Sequence, residues 1–144
     1  MKLILSLILI SLLLASCTVE ESPIVFGKDA CHYCMMNIVD KQHAAEIVTQ
    51  KGKPFKYDAI ECMMRDILER DESSIALFLM TDYFAPGKLV DATEATYLIS
   101  ENLPSPMGAN LTGFQSKSKA EEVHKAKGGT LYSWNELKLV FKKQ

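Results

Sequence analysis

The chain has 144 residues and a mass of 16.1 kDa, is 48% apolar, and carries 16 basic against 18 acidic side chains for a net charge of -2. This length can bury the core of one modest domain, or of two very small ones, and it excludes a large multidomain enzyme. No block of like charges occurs and the balance is slightly acidic, so no surface is suited to grip a phosphate backbone and nucleic acid is not an expected partner.

The first element is an export signal. Lys2 supplies a positive charge, Leu3 to Leu14 an apolar segment, and Leu14-Ala15-Ser16 a run ending in small residues, so residues 1–16 read as a signal peptide too short to be a resident transmembrane helix. Cys17 follows directly, and Leu14-Ala15-Ser16-Cys17 resembles the lipobox of bacterial lipoproteins. That resemblance makes Cys17 the lipidation site and first mature residue, held at a cell membrane or outer membrane by its acyl chains and facing the periplasm or cell exterior. Residues 17–23 then form a short polar tether ending at Pro23, and the folded domain spans 24–144.

Within the domain, His43 to Gln50 reads as a strand, Lys51-Gly52-Lys53-Pro54 as a turn, and Phe55 to Tyr57 as a returning strand, which together make a hairpin. Asp58 and Glu61 have capping-box spacing. Ile60, Met63, Met64, Ile67 and Leu68 follow the spacing of one helical face, predicting an amphipathic helix to about Arg70. Ile75 to Met80 has the length and apolar continuity of a buried strand, and Pro86-Gly87 reads as a break. Lys88 to Ala92, Ala95 to Ser100 and Leu111 to Gln115 are further strand candidates. Ser118 with Glu121, and Ser133 with Glu136, repeat the capping box at the starts of two more helices, the first ended by Gly128-Gly129. The order strand, strand, helix, strand thus occurs twice, and it places the domain in the α+β class.

The chemistry-bearing residues are sulfur ligands. With Cys17 assigned to lipid, Cys31, Cys34 and Cys62 remain, an odd number that no closed disulfide framework can absorb. Cys31-His32-Tyr33-Cys34-Met35-Met36, Cys62-Met63-Met64 and Pro106-Met107-Gly108 gather thiols and thioethers at three places. Two cysteines separated by two residues can aim their sulfurs at one centre, and thiolate together with thioether favours Cu(I). Zinc remains open, with His32, His43, His124 or Asp58 available to complete a three-cysteine set, and so does a thiol-disulfide oxidoreductase using the paired cysteines. Met63 and Met64 lie on the apolar stripe, where methionine usually fills core. Cys62 lies roughly opposite that stripe, with Arg65 and Glu69, where an unpaired thiol is a liability unless the Cys31–Cys34 loop folds over it.

The lipobox cysteine, Cys31-x-x-Cys34-x-Met36, Asp58 with Cys62-Met63, Val90-Asp91-Ala92, and Pro106-Met107-Gly108 with Phe114 beyond, in that order, resemble the nitrous oxide reductase accessory lipoprotein family NosL. The resemblance covers residues from about Phe26 to Tyr132. It implies two small ββαβ units in tandem, about 24–82 and 88–132, with a terminal helix at about 133–143. It also implies a membrane-anchored Cu(I) metallochaperone and not an enzyme, delivering copper toward nitrous oxide reductase through a maturation machinery that includes an ABC transporter complex. The metal-site positions it carries over are Cys31, Cys34, Met36 and Met107, with Cys62 and Met63 as second choices, in an open and incomplete site suited to release by ligand exchange.

Overall fold

The computed structural model describes residues 18–143, so the predicted signal peptide and Cys17 lie outside the described residues. In chain order the elements are β1 (Ala45–Thr49), β2 (Pro54–Tyr57), α1 (Ile60–Leu68), β3 (Ile75–Asp82), β4 (Ala85–Asp91), β5 (Thr96–Ile99), β6 (Leu111–Phe114), α2 (Lys117–Lys127), β7 (Thr130–Ser133) and α3 (Trp134–Lys142). A short 3-10 turn at Glu72–Ser74 leads into β3, with Asp71 accepting the Ser73 amide. Among the described residues no helix is long and apolar enough to cross a membrane.

The strands form two antiparallel sheets, ordered β2-β1-β3-β4 and β6-β5-β7. Each sheet has its first strand in the centre, flanked by the hairpin partner on one side and by the strand that returns from the helix on the other. This is the doubled ββαβ arrangement of an α+β fold. The hairpin of β1 and β2 follows from two strand-length runs closed by the Gly52 turn, where φ of +76° suits a residue without Cβ.

Three local expectations are revised. Pro86 and Gly87 do not interrupt the chain between strands. They lie inside β4, at an outer edge of the first sheet, in the register shift between the pairs Thr81↔Leu89 and Asp82↔Ala85. Proline is tolerated there because an edge bulge needs no ladder donor from it. Strand β4 therefore belongs to the first sheet and not to the start of the second unit. Helix α2 is capped by Ser116, whose side chain accepts the Lys119 amide, two residues before the predicted cap at Ser118. Finally, Ser22 and Pro23 are not free tether: the Ser22 amide donates to Glu46 Oε1 at 2.7 Å and Lys56 Nζ donates to the Pro23 carbonyl at 2.8 Å.

The terminal helix α3 carries its full capping box at Ser133 and Glu136. It buries Trp134, Leu137 and Phe141 in one core shared by the two units, together with Ile47, Met63, Met64 and Met80 from the first and Tyr97 and Leu111 from the second. Trp134 stacks on both Phe78 of β3 and Tyr97 of β5, at 5.4 and 6.2 Å between ring centres. At Gly113 of β6 a Cβ would lie 2.1 Å from Met80 Sδ and 3.0 Å from Ile60, so glycine is what lets β6 approach β3 and α1. Helix α1 thus sits between the units, packed on β1, β2, β6 and α3.

Candidate metal centre

The cysteine pair sits on a small loop ahead of β1. A bridge between Ala30 and Asn37 closes its base, the Cys31 amide donates to the Met36 carbonyl at 2.7 Å, and the Met35 amide donates to the Cys31 carbonyl at 2.9 Å. Met35 has φ of +65°, a left-handed conformation that costs a side-chain-bearing residue about 1 kcal/mol. It reverses the chain just after Cys34, so that the Met36 N–H faces the Cys34 sulfur. The loop is fastened to β2 by the His32 amide donating to the Lys56 carbonyl at 2.8 Å and by the His32 ring lying on Phe55, 4.5 Å between ring centres. Asp29 anchors its entry, accepting Val25 N–H at 2.8 Å and pairing with Lys56 at 2.7 Å.

Helix α1 supplies the other half. The loop folds over the face of α1 that sequence periodicity assigns to solvent, and Cys62 is consequently fully buried, as is Cys31. Asp58 does not cap α1. The N-cap is Ala59 without a side-chain bond, and the Asp58 carboxylate instead accepts the Cys34 thiol, Sγ to Oδ1 at 3.3 Å. Ligand atoms of Cys31, Cys34, Asp58 and Cys62 lie within 4.8 Å of one another, close enough to share one metal ion. The three cysteines are free thiols.

The electrostatics distinguish the three sulfurs. The Cys62 thiol donates to Cys31, and the Cys34 and Asp58 amides also point at it, bringing Cys31 down to about 6 against the opposing effect of burial. Cys62 is raised by that same donation and by burial, and burial together with its neighbours pushes Cys34 up to about 11. The cluster therefore favours the thiolate at Cys31 and the thiol at Cys34 and Cys62, and a cation binding all three sulfurs displaces protons as it binds.

The remaining predicted positions fall around this cluster. Met36 is 56% exposed and lines, with Asp58, Asn37, Val39, Asp40 and Pro106, a hollow of about 270 Å³ at its edge. Met107 is half-buried against the shared core, next to Pro106 on the rim of that hollow. Met63 and Met64 are fully buried core side chains. None of the histidines joins the cluster: His43 is buried between Asp40 and Thr112, at 3.0 and 3.2 Å, His124 faces the Gly129 carbonyl, and His32 packs on Phe55.

The resemblance places Cys62, with Met63, behind Met36 and Met107, whereas the structure puts Cys62 on an equal footing with Cys31 and Cys34. The spacing of Asp58 to Glu61 predicts a cap, while its place four residues before Cys62, one helical turn away, is the signal for a shared site. The network of Tyr57, Asp66 and Arg70 beneath the site was missed as well. Tyr57 donates to Asp66 at 2.5 Å and Arg70 to the same oxygen at 2.8 Å, holding the end of β2 against α1. The paired cysteines do not open a helix after a buried strand, the setting that lowers the attacking thiol in thioredoxin-like enzymes.

Comparison with known proteins agrees with this architecture. No curated protein sequence matches the chain. A solved structure, described as the crystal structure of the copper chaperone NosL from Shewanella denitrificans, superposes with a TM-score of 0.72 at 19% identity, covering 83% of this chain and 96% of that one. This likeness establishes a shared fold. The family model NosL matches residues 24–140, which is the whole described domain from the end of the tether into α3. The chain belongs to the NosL family.

Proposed function

We propose that this protein is an extracytoplasmic Cu(I) carrier, anchored to the membrane through lipid on Cys17, that passes copper toward assembly of nitrous oxide reductase by way of a membrane transporter complex. The observation that carries the reading is the convergence of Cys31, Cys34 and Cys62 beside an edge bearing the exposed thioether of Met36. Soft thiolates bind Cu(I) tightly, and neutral thioethers at the rim give an incoming partner a route to exchange ligands without breaking every bond at once. Membership of the NosL family and the copper-chaperone title of the structural neighbour support it. As a carrier the protein catalyses no reaction, and copper is its cargo.

The Asp58 carboxylate favours a second reading. Three thiolates and an oxygen make a four-ligand set that zinc accepts, whereas Cu(I) has little use for the oxygen and would leave Asp58 as a hydrogen-bond partner of Cys34. Titrating the reduced, lipid-free mature protein with Cu(I) against a competing chelator, with bound zinc counted in the same sample, separates the two. One tight copper per chain, lost when Cys31 and Cys34 become serine, is the expected result. Stoichiometric zinc that copper does not displace would make the cluster structural and remove the carrier reading.

A further inference from the structure

Glu61, the second residue of α1, is fully buried, and among the described residues no Lys, Arg or His pairs with it. Its Oε1 accepts the Ser105 hydroxyl at 2.5 Å while Oε2 has no partner. The same Ser105 oxygen accepts the Leu111 amide at 3.2 Å, and the Gly108 amide closes on the Ser105 carbonyl at 3.1 Å. One hydroxyl therefore ties together the start of the 105–111 loop and the first residue of β6, and Glu61 fastens that knot to the helix that supplies Cys62. Between these points lie Pro106 and Met107, the first on the rim of the hollow beside Asp58 and the second packed on the core that contains Cys31 and Cys62.

A neutral side chain of similar size would fill this position without the cost of burying a carboxyl group that has one oxygen unpartnered. What the carboxylate adds is a strong, directional acceptor for one hydroxyl. We propose that Glu61 is a positioning residue: through Ser105 it fixes the Pro106-Met107-Gly108 turn against α1 so that the Met107 thioether is presented to the three-thiol cluster as a soft, neutral ligand for Cu(I). This rests on the copper reading above. Glu61 itself touches no metal; it acts through Met107.

The test is a double-mutant cycle on the mature protein, with Cu(I) affinity measured by chelator competition under nitrogen and the melting temperature of the metal-free form recorded on the same samples. Glu61→Leu removes the acceptor and is expected to weaken Cu(I) about tenfold, as expected when a group that orients a ligand is lost. Met107→Ala is expected to weaken it at least as much, and adding Glu61→Leu to Met107→Ala should cost nothing more. Glu61→Gln, which keeps an acceptor, should restore most of the affinity, and X-ray absorption at the copper edge should lose one sulfur neighbour in both weakened variants. If Glu61→Leu does not fold, Ser105→Ala takes its place in the cycle with Ser105→Thr as the rescue. An equal loss from Glu61→Leu with and without Met107, or no loss beside a clear Met107→Ala effect, overturns the proposal. Wild-type affinity in Met107→Ala overturns it while leaving the copper reading intact; failure of the wild-type protein to bind Cu(I) ends both.

Discussion

The two ββαβ units share a topology and differ in what surrounds their helices. Helix α1 is largely enclosed, with Ile60 to Met64, Asp66 and Ile67 buried and β1, β2, β6 and α3 packed around it, and only Leu68 at its end is exposed. Helix α2 lies on the outside of its sheet and buries only Ala120. The helix starts differ in the same way. In the second unit Ser116 does the ordinary work of a cap, while in the first the residue placed to cap, Asp58, is turned to the Cys34 thiol and the helix begins at an uncapped Ala59. The same local architecture thus yields a stabilising helix end in one unit and an acceptor for a cluster thiol in the other, at a cost of about 1 kcal/mol of capping energy. What differs is a loop that precedes β1 and has no counterpart before β5.

Breaking the thiol cluster should separate the units most sharply. Replacing both Cys31 and Cys34 by serine is expected to lower Cu(I) affinity by more than about a hundredfold, since direct ligands matter more than the groups that orient them. His124→Ala in α2 should leave it unchanged in the same chelator competition. Packing gives the next contrast. Met64→Ala, at a fully buried position of α1, should cost about 2–5 kcal/mol in urea unfolding, against about 1 kcal/mol or less for the half-buried Val123→Ala of α2.

The response to pH should also reside in the first unit. Glu46 on β1 is fully buried, one oxygen accepts only the Ser22 amide, the other has no partner, and burial raises its carboxyl from 4.5 to about 7. The fold therefore prefers the protonated acid. Its contribution is complete below the unfolded value of 4.5 and is lost as pH rises through about 7. Glu46→Gln should flatten that dependence and raise stability at pH 8 by about 2 kcal/mol, measured by urea unfolding across pH. The sheet of the second unit buries Ser100 and Thr112 but no acid, so no substitution there should act in this way. The smallest contrast lies at the helix starts. Ser116→Ala should lower stability by about 1 kcal/mol without changing Cu(I) affinity, whereas Asp58→Asn should weaken metal binding with a smaller effect on stability.

The sequence alone determined most of the elements. The Lys51-Gly52-Lys53-Pro54 turn defined the β1–β2 hairpin, the spacing of Ile60, Met63, Met64 and Ile67 defined α1, and Ser133 with Glu136 defined α3, because turn chemistry, helical period and capping are settled by residues within a few positions of one another. The chelating spacing of Cys31 and Cys34 was legible for the same reason. Tertiary structure decided the rest. Periodicity places Cys62 on a polar face, and only a loop thirty residues earlier in the chain makes that face an interior. Asp58 has the spacing of a cap, and only the arrival of Cys34 gives it another partner. Pro86 punctuates a sequence, yet at a sheet edge it sits within a strand. Glu61 reads as an ordinary first-turn carboxylate until Ser105, forty-four residues away, donates to it. Each of these outcomes depends on a partner distant in the chain, and local patterns carry no record of which distant segment will cover which face.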